Sequence, residues 1–341
     1  MTNLTSHAGN HCEINHNIHQ YLFSSTYIIV LLIGIPTNLY SLYHAFLQTR
    51  ACNELGIYLL NLTASDLLYL ASLPLWLQYF LQDDNWTHKE WLCNVCGFLL
   101  YENIYISVGF LCCISIDRFM AIAYPLRSSK FRTMRAASAV SAFIWLKEVA
   151  VGVILFQQKE LSNDHTNHSL CFEHYPMMNW ERYVNYYRFF MGFLFPLGIL
   201  CASYFWVLRV VNKSSGTHSS QKARIKHLVT GTVVIFLVCF SPYHVLLMVR
   251  TLLENDCLFI QRIFNYYQFS LLLTSLNCLA DPFLYCFVGE NIRRDIQLRW
   301  SMCTRLLCCR KEVGYATSSD PATIKESAIS RVVPLQSKPE A

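Results

Sequence analysis

The sequence has little charge. Asp, Glu, Lys and Arg make up 14% of its 341 residues, against about 25% in a typical soluble protein. A chain so poor in charge cannot clothe a soluble surface of its size, and nucleic acid is not an expected partner. The constellations of an enzyme are also missing. No nucleophile, metal or phosphate-loop grouping is found, so catalysis is not expected. Cys93-x-x-Cys96 is a lone match without the second pair or histidine spacing of a zinc site. There is no internal repeat of the transporter kind. The polar segment before Tyr21 has no basic flank, so a cleaved signal peptide is not expected and the first apolar run serves as an uncleaved insertion signal.

Apolar residues are what the chain has in quantity, at 54%, gathered into long runs rather than alternating with polar ones. Seven runs can be drawn, over 21–48, 56–82, 91–124, 134–157, 183–211, 225–252 and 259–288. Runs of about 18 or more apolar residues read as membrane spans, because a helix rising about 1.5 Å per residue then crosses a hydrocarbon core of about 30 Å. The expected fold class is an all-α membrane protein: a seven-transmembrane helix bundle with a short amphipathic cytoplasmic helix after span seven. Residues 1–20 are expected to form an N-terminal segment, 21–302 the helix bundle with its juxtamembrane helix and 303–341 a tail lacking order.

Lys and Arg mark the cytoplasmic side of a membrane protein. They gather in the 3–4 linker (Arg127, Lys130, Arg132, Arg135), the 5–6 linker (Lys213, Lys222, Arg224, Lys226) and the tail (Arg293, Arg294, Arg299, Arg305, Arg310, Lys311). The opposite linkers carry Asp83, Asp84, Glu90, Glu160, Asp164, Glu173, Glu254 and Asp256. The expected location is the plasma membrane, multi-pass, with the N-terminus extracellular and the C-terminus cytoplasmic. Sequons at Asn3, Asn85 and Asn167 fall on the outside and are expected glycosylation sites.

Fifteen cysteines divide by compartment. Cys12, Cys93, Cys171 and Cys257 lie outside, where an oxidising environment favours bridges. We pair Cys93 with Cys171, tying span three to the second outer loop, and Cys12 with Cys257, tying the N-terminal segment to span seven. Cys303, Cys308 and Cys309 follow the last span and are palmitoylation candidates. Cys112, Cys113, Cys201, Cys239, Cys278 and Cys286 read as plain buried thiols.

Charges inside spans are costly and usually functional. Asp66, Glu102, Glu148 and Asp281 are such charges, and Asn38 and Asn277 add polar partners. Prolines remove a backbone hydrogen bond and kink a helix. Pro36, Pro74, Pro196, Pro242 and Pro282 fall in five different spans.

These residues, with others, resemble the rhodopsin-like G-protein-coupled receptors. The resemblance rests on Asn38, Asn61-Leu-x-x-x-Asp66, Asp117-Arg118-Phe119, Trp145, Pro196 with Tyr204, Cys239-Phe-x-Pro242 and Asp281-Pro282-x-x-Tyr285, in that order over about 21–302. Phe119 stands where the family commonly has Tyr, and Phe240 where it has Trp. The resemblance implies that Asp117 restrains Arg118 at rest and that Arg118 then faces the G protein. It implies that Tyr204 and Tyr285 swing inward, that Phe236 and Phe240 transmit motion along helix six, and that Asp66, Ser107, Asn277 and Asp281 line a polar pocket able to hold a sodium ion. Heterotrimeric G proteins, arrestin, receptor kinases and membrane lipids are the implied partners.

A narrower resemblance is to the proton-sensing receptors. It is carried by Asn53-Glu-Leu-Gly-Ile-Tyr58, Asp84-Asn-Trp86, Tyr101 to Cys113, Cys171-Phe-Glu-His-Tyr-Pro176 and Ser241-Pro-Tyr-His-Val-Leu-Leu247. It implies sensing by His16, His19, His168 and His244 together with the carboxyls Asp66, Glu148 and Asp281, and output through Gq, with Gs as a second coupling. The residues themselves lean the same way. Of 12 histidines, eight are predicted outside, and imidazole is the side chain that normally titrates between about pH 5 and 8. A pattern within that group has histidine where Asp83 and Gln268 stand here. Asp83 brings a fixed charge and Gln268 cannot titrate, so the midpoint and steepness are expected to differ. Moving an equilibrium from 1:99 to 99:1 takes about 5.5 kcal/mol, or about four pKa units, which no single exposed histidine supplies. A lysolipid or peptide receptor of the same class is the alternative reading, and a transporter or channel the alternative of another class.

Overall fold

A computed structural model describes residues 17–128, 130–156, 161–163, 169–171, 177–213, 219–254 and 257–288. Helix α1 spans Asn17–Arg50, α2 Glu54–Leu81, α3 Glu90–Ala123, the short α4 Pro125–Ser128 and α5 Met134–Phe156. A small antiparallel hairpin follows, β1 Leu161–Asn163 and β2 Ser169–Cys171, with Leu161 opposite Cys171. The fifth span is α6 (Asn179–Phe189), a π-helical turn over Phe190–Leu194, then α7 (Phe195–Lys213). The sixth is α8 (Ser219–Ile235), a π-helical turn over Phe236–Phe240, then α9 (Ser241–Leu253). The seventh is α10 (Cys257–Ser275) and α11 (Asn277–Val288).

Seven apolar runs thus become seven spans. Six of them are single stretches long and apolar enough to cross a membrane. The seventh is divided at Leu276, where Leu276 N–H donates to Leu273 O and Leu279 N–H to Leu276 O, both three residues back. The two π-helical turns have a common cause. Each runs up to a proline near the start of the next helix, Pro196 or Pro242. A proline ring clashes with the carbonyl four residues back and donates no hydrogen bond, and widening the helix by one residue relieves both. At the start of α2, the Asn53 side chain accepts from Leu55 N at 3.2 Å and caps one of the free N–H groups there.

The core runs around α3. Its Ile104, Ile106, Phe110, Leu111 and Ile114 pack with Leu59 and Leu62 of α2, Leu200 of α7 and Phe236, Phe240 and Tyr243 of the sixth span. Gly192 lets the fifth span close on α3, since a Cβ there would sit 2.5 Å from Cε1 of Tyr105. A second cluster gathers Phe23, Tyr27, Trp76, Tyr79, Phe80 and Trp86 beside the Cys93–Cys171 disulfide. Large apolar side chains such as Leu32, Phe143, Leu146, Phe205 and Val238 point outward. In a soluble protein such a belt would be a liability, but here it is the lipid-facing surface.

One cysteine reading is corrected. Cys201 is exposed rather than buried, because its position on α7 falls on the outward face. Cys113 is half-buried, while Cys112, Cys239 and Cys278 are buried thiols. The side chains of Cys286 and His19 lie outside the described residues, as do residues 1–16, the amphipathic helix expected after span seven and the tail.

Candidate functional site

The spans gather four polar groupings inside an apolar bundle. The first is the pocket expected around Asp66. Asp66 is fully buried and its Oδ1 accepts from Asn103 Nδ2 at 2.9 Å, Asn277 Nδ2 at 3.5 Å and Cys278 Sγ at 3.5 Å. Asn103 Nδ2 also lies 3.5 Å from Ser107 Oγ. Asn38 Nδ2 donates to Cys278 O at 2.7 Å and so ties α1 to α11. Asp66 Oδ2, Asn38 Oδ1, Asn277 Oδ1 and both Asp281 carboxylate oxygens are buried without a hydrogen-bond donor. Oxygens left over in this number are the donor set a hard cation takes. The described residues contain no group of three or more His, Cys, Asp or Glu able to hold a metal ion.

Asn103 and Cys278 were not singled out from the sequence. Asn103 lies one helical turn from Ser107 on the same face of α3, a spacing that could have shown it. Cys278 reads as one apolar thiol among several, and only the packing of α11 against α2 turns it toward Asp66.

The second grouping lies at the other end of α3. Asp117 is buried, and its Oδ2 receives Arg118 Nε at 3.0 Å and a second contact from Arg118 Nη2. Its Oδ1 receives Arg132 Nε at 2.8 Å, and Arg132 in turn pairs with Glu54. Burial works against the Arg132 charge, but the Asp117 hydrogen bond and the Asp117 and Glu54 charges outweigh it and hold the guanidinium above its ordinary pKa. Arg132 and Glu54 carry no local signal in the sequence, since the contact joins three distant segments. Tyr204 is half-buried and, like Phe119, packs against the cluster of Val207, Val211 and Val229. Tyr285 belongs to α11, but its side chain lies outside the described residues.

The third grouping surrounds His244, which is fully buried. Its Nδ1 lies 2.8 Å from Phe240 O, and its ring stacks on Phe193 at 4.7 Å, with Tyr243 and Tyr105 edge-on. Phe193 stacks on Phe236 at 5.5 Å, and Phe236 meets Phe240. Of the two expected motion-transmitting phenylalanines, Phe236 is therefore in ring contact with the fifth span and one step from His244, and Phe240 meets it within the sixth span. Beside them Glu102 and Glu148 are buried and share a cavity with Arg188, whose guanidinium lies 3.9 Å over the Tyr101 ring.

The fourth grouping is at the disulfide end. Glu254 is fully buried and accepts from Met177 N at 2.7 Å and Arg250 Nε at 2.6 Å, while its carbonyl accepts from Arg182 at 2.8 Å. These contacts fasten the segment after β2 to the fifth and sixth spans. Cys93 is bonded to Cys171. Cys257 is also disulfide-bonded, and Cys12 lies outside the described residues. So do His16, His168, Asn3, Asn167, Cys303, Cys308 and Cys309. Asn85 is half-buried, its Oδ1 accepting from Ser169 N at 3.1 Å. The described hydrogen bond of Asp83 comes from Gln20 at 3.0 Å. Gln268 is buried in α10.

Seven spans around a buried polar pocket, with an acid–arginine pair at one end of α3, define a seven-helix membrane receptor. Residues 37–285 match the family described as 7 transmembrane receptor (rhodopsin family), and the chain belongs to that family. It is a family of receptors rather than enzymes, and the chain is a multi-pass membrane protein. It is similar to G-protein coupled receptor 68 of Mus musculus, 54% identical over 321 residues that cover 93% of this chain and 88% of the relative. With G-protein coupled receptor 68 of Homo sapiens it shares 52% over 329 residues, 96% of this chain and 90% of the relative. Lysophosphatidic acid receptor 6 of Mus musculus is more distant, 30% identical over 313 residues, 88% of this chain and 90% of that protein.

Proposed function

We propose that the chain is a proton-sensing receptor that activates heterotrimeric G proteins when the medium outside the cell turns acid. The disulfide end is the extracellular one and the Arg118 end faces the cytoplasm. Protons taken up by His16, His19, His168 and His244 and by the carboxyls Asp66, Glu148 and Asp281 favour the state in which Arg118 leaves Asp117. Output runs through Gq to phosphoinositide and calcium signalling, with Gs and cAMP as a second route. Arrestin and receptor kinases then meet the cytoplasmic face.

The observation that carries this reading is the Asp66–Asp281 pair. Two carboxyls are buried in the membrane-spanning core, and the described hydrogen-bond partners of Asp66 are two amides and a thiol, none of them a cation. An ionised carboxyl in so dry a site needs a counter-charge. A proton or a sodium ion held by Asp66, Ser107, Asn277 and Asp281 meets that need, and exchanging one for the other biases the bundle. A proton shifts the equilibrium only to the extent that it binds one state more tightly. The strong identity with G-protein coupled receptor 68 supports a receptor of that type.

The test is a pH titration of inositol phosphate and cAMP output in cells carrying the chain, with no organic ligand added. A rise confined to acid medium is expected. Output that stays flat from pH 8 to 6 and rises only with an added lysolipid would replace this reading with that of a lysolipid receptor.

A further inference from the structure

A cavity opens between α3, α5 and α6, away from the Asp66 pocket and from the Asp117–Arg118 pair. Its lining includes Phe98, Tyr101 and Glu102 of α3, Glu148 and Gly152 of α5, and Arg188 of α6. We propose that this cavity is a binding site for a small organic cation, a protonated amine on an apolar or aromatic body, with its nitrogen held between Glu102 and Glu148.

Four observations lead there. First, Glu102 is only 7% exposed and its Oε2 has no hydrogen-bond partner. A buried carboxyl oxygen without a donor is costly, and a ligand N–H relieves that cost. Second, the charged groups that line the cavity are mostly acidic. They are two carboxyls, Glu102 and Glu148, against one guanidinium, Arg188. Lys147 pairs with Glu148 but does not line the cavity, and its side chain is 38% exposed. Third, the walls are aromatic. Phe98, Tyr101, Tyr105 and Tyr187 line the space, and aromatic side chains attract ammonium groups as well as apolar bodies. Fourth, Gly152 keeps the floor open. A Cβ there would fall 2.1 Å from Cε2 of Phe98 and 3.1 Å from Glu102 Oε1. Only glycine lets the Glu102 carboxyl and the Phe98 ring lie against α5.

The nitrogen takes the place a proton would otherwise take. The titratable and charged groups around that place are Glu102 and Glu148, Arg188, Lys147 beyond the wall, and the phenols of Tyr101, Tyr105 and Tyr187. A proton on either carboxyl removes a partner for the cation, so binding weakens as the medium turns acid. This follows whether or not the receptor signals in response to protons, because binding is measured without signalling.

The test uses the full-length receptor in lipid nanodiscs at pH 8 and two probes of one shape, 4-phenylbutylammonium and the neutral 4-phenylbutan-1-ol. Saturable binding is followed by saturation-transfer NMR and by the shift in thermal unfolding. The ammonium is expected to bind at least about tenfold more tightly than the alcohol, the worth of a charge-assisted hydrogen bond. Glu102→Gln should remove most of that preference, and Glu148→Gln serves if the first variant does not fold. Gly152→Ala should weaken both probes by filling the floor. Equal binding of the two probes overturns the proposal. So does a preference that survives both glutamate changes, or one that is lost in Asp66→Asn but kept in Glu102→Gln, which would put the cation in the Asp66 pocket instead.

Discussion

Replacing Asp117 by Asn should raise signalling in the absence of acid. In the resting bundle Arg118 gives Asp117 Oδ2 two contacts, one of 3.0 Å from Nε and one from Nη2. Asn keeps the shape but loses the charge, so charge-assisted bonds become ordinary ones. Hydrogen bonds to a charged group contribute about 1.5–3 kcal/mol, a factor of about 10 to 150 in an equilibrium. A receptor resting near 1:99 would then spend about a tenth to about three fifths of its time active at pH 8. The structure also separates two arginines that share this carboxylate. Arg132 holds Oδ1 at 2.8 Å but is held in turn by Glu54. Arg132→Ala should therefore leave the Arg118 restraint in place and change basal output far less than Asp117→Asn. The assay is inositol phosphate accumulation at pH 8, normalised to receptor at the cell surface. Wild-type basal output from Asp117→Asn at matched surface levels would refute the restraint. An equal rise from Arg132→Ala would move it from Arg118 to the Arg132–Glu54 bridge.

Arg118→Ala should fold and reach the surface yet lose most acid-driven output, and wild-type output from it would remove Arg118 from the switch. His16→Phe, His19→Phe, His168→Phe and His244→Phe should each move the pH midpoint down by a fraction of a unit while maximal output survives. A histidine that binds its proton more tightly in the active state stabilises that state as pH falls, so without it more acid is needed. His244 should matter most, since it lies in the sixth span and stacks on Phe193. Four unmoved midpoints would rule these histidines out as sensors. Asp66→Asn or Asp281→Asn mimics the protonated carboxyl and should raise basal output at pH 8, and a basal level equal to wild type in both would leave the pair without a part in activation. Cys12→Ser or Cys257→Ser should blunt the acid response by freeing the segment that carries His16 and His19, whereas full surface expression with an unchanged pH curve would count against that bridge.

What the sequence alone determined is whatever depends on local composition. Apolar runs long enough to span a bilayer cannot hide their length, so seven spans were legible, with ends within a few residues of the helices. Asp66, Glu102, Glu148 and Asp281 stood out because an acid inside an apolar run is costly and rarely incidental, and Asp117 through its place in the Asp117-Arg118-Phe119 motif. Proline positions were legible too, but not that Pro196 and Pro242 follow π-helical turns while Pro36 and Pro74 sit within continuous helices. The tertiary structure alone decided which side chains meet. Asn103 and Cys278 join Asp66 only because α2, α3 and α11 converge on one point. Arg132 reaches Asp117 and Glu54 only because a linker folds back under α3. The outward face of Cys201 and the cavity behind Gly152 depend on how helices rotate and how closely they approach. Periodicity shows that a helix has faces, but rotation and spacing are settled by packing between segments far apart in the chain, and no local window contains that information.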